Sequence, residues 1–87
     1  MPVFMDRHDV PETITAADIA QLHQEDLKIQ SRFGCRALTY WFDENRKTAF
    51  CLIEAADKNS IHKMHNKAHG QVPNSIIEVD AGIVESL

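Results

Sequence analysis

Two strand-like runs, Cys35 to Asp43 and Thr48 to Glu54, are joined by the polar string from Asp43 to Lys47, and both are apolar on both faces. In the first, Ala37, Thr39 and Trp41 oppose Leu38, Tyr40 and Phe42; in the second, Ala49, Cys51 and Ile53 oppose Phe50 and Leu52. Successive strand residues point to opposite faces, so a half-solvated sheet would alternate apolar with polar residues. These two central strands instead need cover on both sides. A chain of 87 residues holds one core, and its helices can cover one face only. A second copy is the simplest cover for the other face, which predicts a homodimer joined through the helix-free side of the sheet.

The rest of the chain supplies that sheet and its helices. Pro2 to Asp9 alternates, with Val3, Met5 and Arg7 on one side and Phe4, Asp6 and His8 on the other. Thr15 and Asp18 resemble a capping box that opens a helix to about Phe33, which Gly34 ends. Asp57 is placed to cap a second helix that stops at Gly70. Ser75 to Asp80 reads as the last core strand, and 81–87 as a short fifth strand or a tail. The order βαββαβ predicts an α+β, ferredoxin-like sandwich over residues 1–80: one antiparallel sheet with two helices on one face.

Both helices carry polar residues in unusual places. On the second, His62, His65 and His69 form a row beside the apolar stripe of Ile61, Met64 and Ala68, with His65 on its border. Imidazoles at i and i+4 can reach one metal ion. The same pattern also fits an ordinary amphipathic helix with three solvated imidazoles. On the first, His23, Asp26 and Gln30 fall inside the apolar arc of Ala16, Ile19, Leu22, Ile29 and Phe33. A buried carboxylate costs several kcal/mol unless it is paired. The ridge is therefore an internal network in which Asp26 orients His23, or the lining of a cleft.

Composition removes several classes of function. A formal net charge of −4 without a basic cluster argues against a nucleic-acid partner. No apolar run reaches the ~20 residues of a membrane span, and the first residues lack the apolar stretch of a signal peptide. Cys35 and Cys51 lie in strand-like runs without a CxxC pattern, which fits buried thiols in a reducing, cytoplasmic setting. With three glycines in all, a phosphate-cradling loop is not expected.

The strings MPVFMDRHDVP, HQEDLKIQSRFGCRALTYWFDE, TAFCLIEA and HNKAHGQVPNSIIEVD are co-linear with a family of small bacterial proteins named for nickel binding. The chain resembles that family, formerly a domain of unknown function, over about residues 1–80. The resemblance implies ferredoxin-like dimers that bind nickel for sequestration or detoxification. Related domains occur in longer proteins, including nucleotide cyclases, where this chain would correspond at most to a sensing part. The matching positions are His8, His23, Asp26, Gln30, Tyr40, Cys51, Glu54, His65 and His69. His62 falls where the family is expected to vary.

Three functions compete. The first is a divalent-metal binder in which His65 and His69 form a two-toothed clip, supported by His8 with Asp6 or by His23 with Asp26. Such nitrogen and oxygen ligands suit Ni²⁺ and Zn²⁺, and Cu²⁺ would compete in vitro. Neutral imidazole is the ligand, so binding should weaken below pH ~6.5. The second is a small enzyme with His23 as base, Asp26 as its orienter, Tyr40 as proton donor and Cys51 as nucleophile. The third is an assembly module indifferent to metals. An enclosed pocket holding His23 and Asp26 would favour catalysis, and a filled helix–sheet layer with surface histidines would favour metal capture.

Overall fold

The structure, a computed structural model, describes residues 1–80. Its elements follow the expected order: β1 (Val3–Asp9), α1 (Ala16–Ile29), β2 (Arg36–Asp43), β3 (Thr48–Glu54), α2 (Lys58–Ala68) and β4 (Ser75–Val79). The four strands form one antiparallel sheet in the order β2-β3-β1-β4, giving the ferredoxin-like α+β arrangement. The expected fifth strand or tail at 81–87 lies outside the described residues.

Local chemistry sets the helix limits. The Thr15 hydroxyl accepts from the Asp18 amide while the Asp18 carboxylate accepts from the Thr15 amide, which closes the capping box. The α-helix ends earlier than the sequence suggests. From Gln30 to Phe33 the chain tightens into a 3₁₀ turn before Gly34, at φ +65°, reverses it. The amides of Gly34 and Cys35 then bond carbonyls of that turn, so few groups at this helix end are left unpaired. Asp57 caps α2 through the Ser60 amide, and Gly70, at φ +80°, follows its end.

Register decides which side chains meet the helices. Phe4, Asp6 and His8 of β1 face inward, beside Ile53, Cys51 and Ala49 of β3. The core is built on this face from Phe4, Cys35, Cys51, Ile53, Ala55, Ile61 and Met64. Two sequence expectations change here. β2 is an edge strand, and the inner strands are β3 and β1. β2 also carries an irregularity at Leu38, so Ala37 shares the inward face with Tyr40 and Phe42, while Thr39 and Trp41 face outward. One extra residue in the ladder reverses the alternation beyond it.

The helix-free face is an apolar band. Met5 lies beside Leu52 and Ile77, and Phe50 pairs with Trp41, with Val3 and Val79 at one end. Trp41 and Ile77 are half exposed on it. Glu54 lies at its margin, bonded to Arg36 at 2.8 Å.

Candidate metal centre

The inward-facing Asp6 and His8 bring two polar side chains onto an otherwise apolar strand face, and α1 and α2 answer them. Asp6, Asp26 and His65 are 0%, 2% and 1% exposed. His65 bridges the two carboxylates: its Nε2 is 2.8 Å from Asp6 Oδ2 and its Nδ1 is 2.9 Å from Asp26 Oδ1. Burial opposes charge on His65, but the hydrogen bonds to Asp26 and Asp6 outweigh it and push its pKa up to about 9. At neutral pH His65 is therefore an imidazolium that donates both N–H groups to carboxylates. Burial also opposes the charge on the two aspartates. The bond from His65 and the nearby His8 ring nonetheless hold Asp6 well below the usual carboxylate range, and His65 and His69 lower Asp26.

Three further imidazoles surround this core. His8 Nε2 comes within 3.1 Å of Asp6 Oδ1 without aligning for a hydrogen bond, which leaves that oxygen buried and unpartnered. His69 Nδ1 accepts from the Gln71 amide at 3.0 Å. Its proton is thereby placed on Nε2, 3.0 Å from Asp26 Oδ1. His23 Nδ1 lies 3.7 Å from Asp26 Oδ2, and its Nε2 lies 3.5 Å from Cys51 Sγ. Its ring stacks on Tyr40 with centroids 3.8 Å apart. Burial lowers the His23 pKa, against the pull of Asp26, and keeps the ring neutral at pH 7. Burial beside Asp6 pushes the Cys51 thiol strongly upward.

A cavity of about 20 Å³ lies among these groups, walled by His8, His23, Asp26, Cys51, His65 and His69 and closed on its apolar side by Val10, Ile19, Leu22 and Ala49. That is room for one water-sized occupant. Two donor sets whose ligand atoms lie within 4.8 Å of one another share His65: Asp6, His8, Cys51 and His65, and Asp26, His65 and His69. The donors are nitrogen- and carboxylate-rich, and one buried carboxylate oxygen lacks a hydrogen-bond partner. This set fits a small divalent cation of the borderline transition-metal type.

The model of a family described as nickel responsive protein SCO4226-like matches residues 4–79. The chain belongs to that family. The crystal structure of SCO4226 from Streptomyces coelicolor A3(2) superposes on it with a TM-score of 0.85 at 28% identity, covering 93% of this chain and 99% of that one. A comparison with curated proteins gives no significant match.

In this SCO4226-like chain the five residues singled out in the sequence, His8, His23, Asp26, His65 and His69, all line one cavity. The expected clip takes a different form. His65 and His69 converge on one oxygen of Asp26, and the second nitrogen of His65 is taken by Asp6. His62 is exposed and stands apart. Gln30 leaves the ridge, because its Oε1 accepts from the Ala37 amide and ties α1 to the start of β2. Asp6 belongs at the centre, although sequence reasoning gave it only a supporting part beside His8. Its signal was an aspartate between Phe4 and His8 on the core face of a strand. Of the two sequence criteria, the one for metal capture, a filled layer with surface histidines, is not met, since only His62 is exposed, and the one for catalysis is met in part. The pocket contains His23 and Asp26 but is partly open, and it is far too small for an organic substrate.

Proposed function

We propose that this protein binds a divalent transition metal, nickel foremost, in the cavity between β1, α1 and α2, for sequestration or sensing. The observation that carries this reading is a one-water cavity walled by four imidazoles and a carboxylate. His8, His23, Asp26, His65 and His69 are the candidate ligands, with Asp6 and Cys51 adjoining. In the metal-free protein the proton of His65 supplies the positive charge between Asp6 and Asp26. A cation in the cavity takes over that role, so uptake releases protons. Zn²⁺ and Cu²⁺ share the ligand preference and compete in vitro.

The family's description as nickel-responsive supports nickel as the metal. The apolar band on the open sheet face supports a homodimer formed through that face. Two free, buried cysteines suit a reducing, cytoplasmic setting. No described helix is long and apolar enough to cross a membrane.

The test is titration calorimetry and native mass spectrometry with Ni²⁺ on tag-free protein. Wild type should take up nickel at micromolar supply with proton release, and His69→Ala and His8→Ala should lose affinity by tenfold or more. His65→Ala should abolish uptake. Unchanged affinity and stoichiometry in all three variants would remove the metal from this cavity.

A further inference from the structure

An ion that fills the buried cavity must reach it from outside and shed its water on the way. Two grooves adjoin the cavity, and they differ in how they reach it. One, of about 200 Å³, lies between α1 and β2 and touches the cavity only through His23. Its walls combine Ala20, Leu27, Ala37 and Leu38 with Gln24, Thr39 and Tyr40, and at His23 the way is closed by the ring stacked on Tyr40. The other, of about 370 Å³, lies between the start of α1 and the loop after α2. It offers the polar side chains of Thr13, Asp18, Gln21 and Gln71, and it shares Leu22, His69 and Gln71 with the cavity.

From this juxtaposition we infer that His69 and Gln71 form the doorway of the metal site, and that the groove outside them, which carries the Asp18 carboxylate, is the vestibule where a hydrated divalent cation docks before it is stripped of water. The inference rests on the metal-binding reading of the cavity. By one and the same measure the vestibule offers about 370 Å³ and the cavity about 20 Å³, room for a single water, so a hydrated ion fits the first and not the second. Dehydration has to happen between the two, where His69 stands. Its Nε2 faces Asp26 at the centre while its Nδ1 is held by the Gln71 amide of the loop. Oxygen donors in the vestibule replace lost waters as the ion sheds them. The formal net charge of −4 favours the approach of cations. The other groove carries no carboxylate, and the His23 ring stacked on Tyr40 stands across its path to the cavity.

A doorway changes rates and leaves equilibria alone, which is what the experiment reads. Stopped-flow uptake of Ni²⁺, and its release to a chelator, are measured for the full chain with Gln71→Trp, an exposed position that narrows the doorway, and Leu38→Trp, an exposed position in the other groove. Gln71→Trp should slow uptake and release together by tenfold or more, with Kd moving far less than either rate, and Leu38→Trp should match wild type. Retained folding of each variant is read from its urea midpoint; Thr13→Arg, which sets a cation in the vestibule, should slow uptake most at low salt. Slowing by Leu38→Trp alone, or wild-type rates in both Gln71→Trp and Thr13→Arg, would overturn the doorway while leaving the metal site standing. Failure of wild type to bind Ni²⁺ at all would instead remove the site, and the doorway with it.

Discussion

Asp6 and Asp26 lie on different layers of the fold, one on the sheet and one on α1, yet both spend an oxygen on opposite nitrogens of the same His65 ring. Two carboxylates with almost no solvent contact are thus held by one proton-bearing group. The arrangement joins β1, α1 and α2 through a single side chain.

Removing that side chain should therefore cost more than an ordinary histidine substitution. His65→Ala is expected to lower stability by about 3–5 kcal/mol, because it leaves buried carboxylates without their cation. Urea unfolding of the metal-free protein measures this. A loss below about 1 kcal/mol would mean that the bridge adds little to the fold.

Metal-free stability should peak near neutral pH and fall on both sides. The His65 pKa is raised to about 9, so its contribution is full below ~6.5 and disappears as pH rises through about 9. That loss is on the order of 3 kcal/mol. Asp6 and Asp26 are lowered, so their contribution is present above ~4 and is lost as pH falls through their folded values. His23, lowered by burial, works against the acid side below ~6.5, where the unfolded chain takes its proton first. Urea midpoints of EDTA-treated protein at pH 3, 6.5 and 9.5 should be highest at 6.5; a rise from 6.5 to 9.5 contradicts a protonated bridge.

Both thiols should be silent in the folded protein. Cys35 and Cys51 are free and buried, and burial pushes Cys35 up to about 11 and Cys51 higher still. Thiolate is the reactive form, so a disulfide reagent at pH 8 should label neither residue until urea is added. Rapid labelling of native Cys51 would show that the cavity opens readily.

The open sheet face should govern association. Trp41 and Ile77 are 50% and 53% exposed on the apolar band, so Trp41→Asp with Ile77→Asp places charge where a second copy would pack. Sedimentation should find a wild-type dimer and a folded monomeric double variant. A dimer that survives both changes must use another surface.

Much of this centre was legible residue by residue. Phe4, Asp6 and His8 alternate onto one strand face, so a polar pair on a core face could be seen before any contact was known. The ridge of His23 and Asp26 inside an apolar helical arc carried the same message, since a carboxylate in that position needs a partner. The irregularity at Leu38 was not legible. Both faces of β2 are apolar, so hydrophobic pattern could not report which residue falls out of register, and Tyr40 arrived beside His23 only through that shift. Gln30 likewise looked like part of the ridge, but the helix tightens at that residue and turns its side chain to the β2 backbone.

Element order, the capped helix starts and the placing of polar residues on buried faces are written into the chain locally, because they follow from backbone periodicity and short-range hydrogen bonding. It takes the packing of sheet against helices to make Asp6 and Asp26 share His65 and to gather the imidazoles around space for one small occupant. Residues 59 positions apart meet at 2.8 Å because strand and helix pack face to face, and no local pattern encodes that distance. Burial supplies the physical reason the meeting matters: away from water, each charge is held by the neighbour that the fold brings to it.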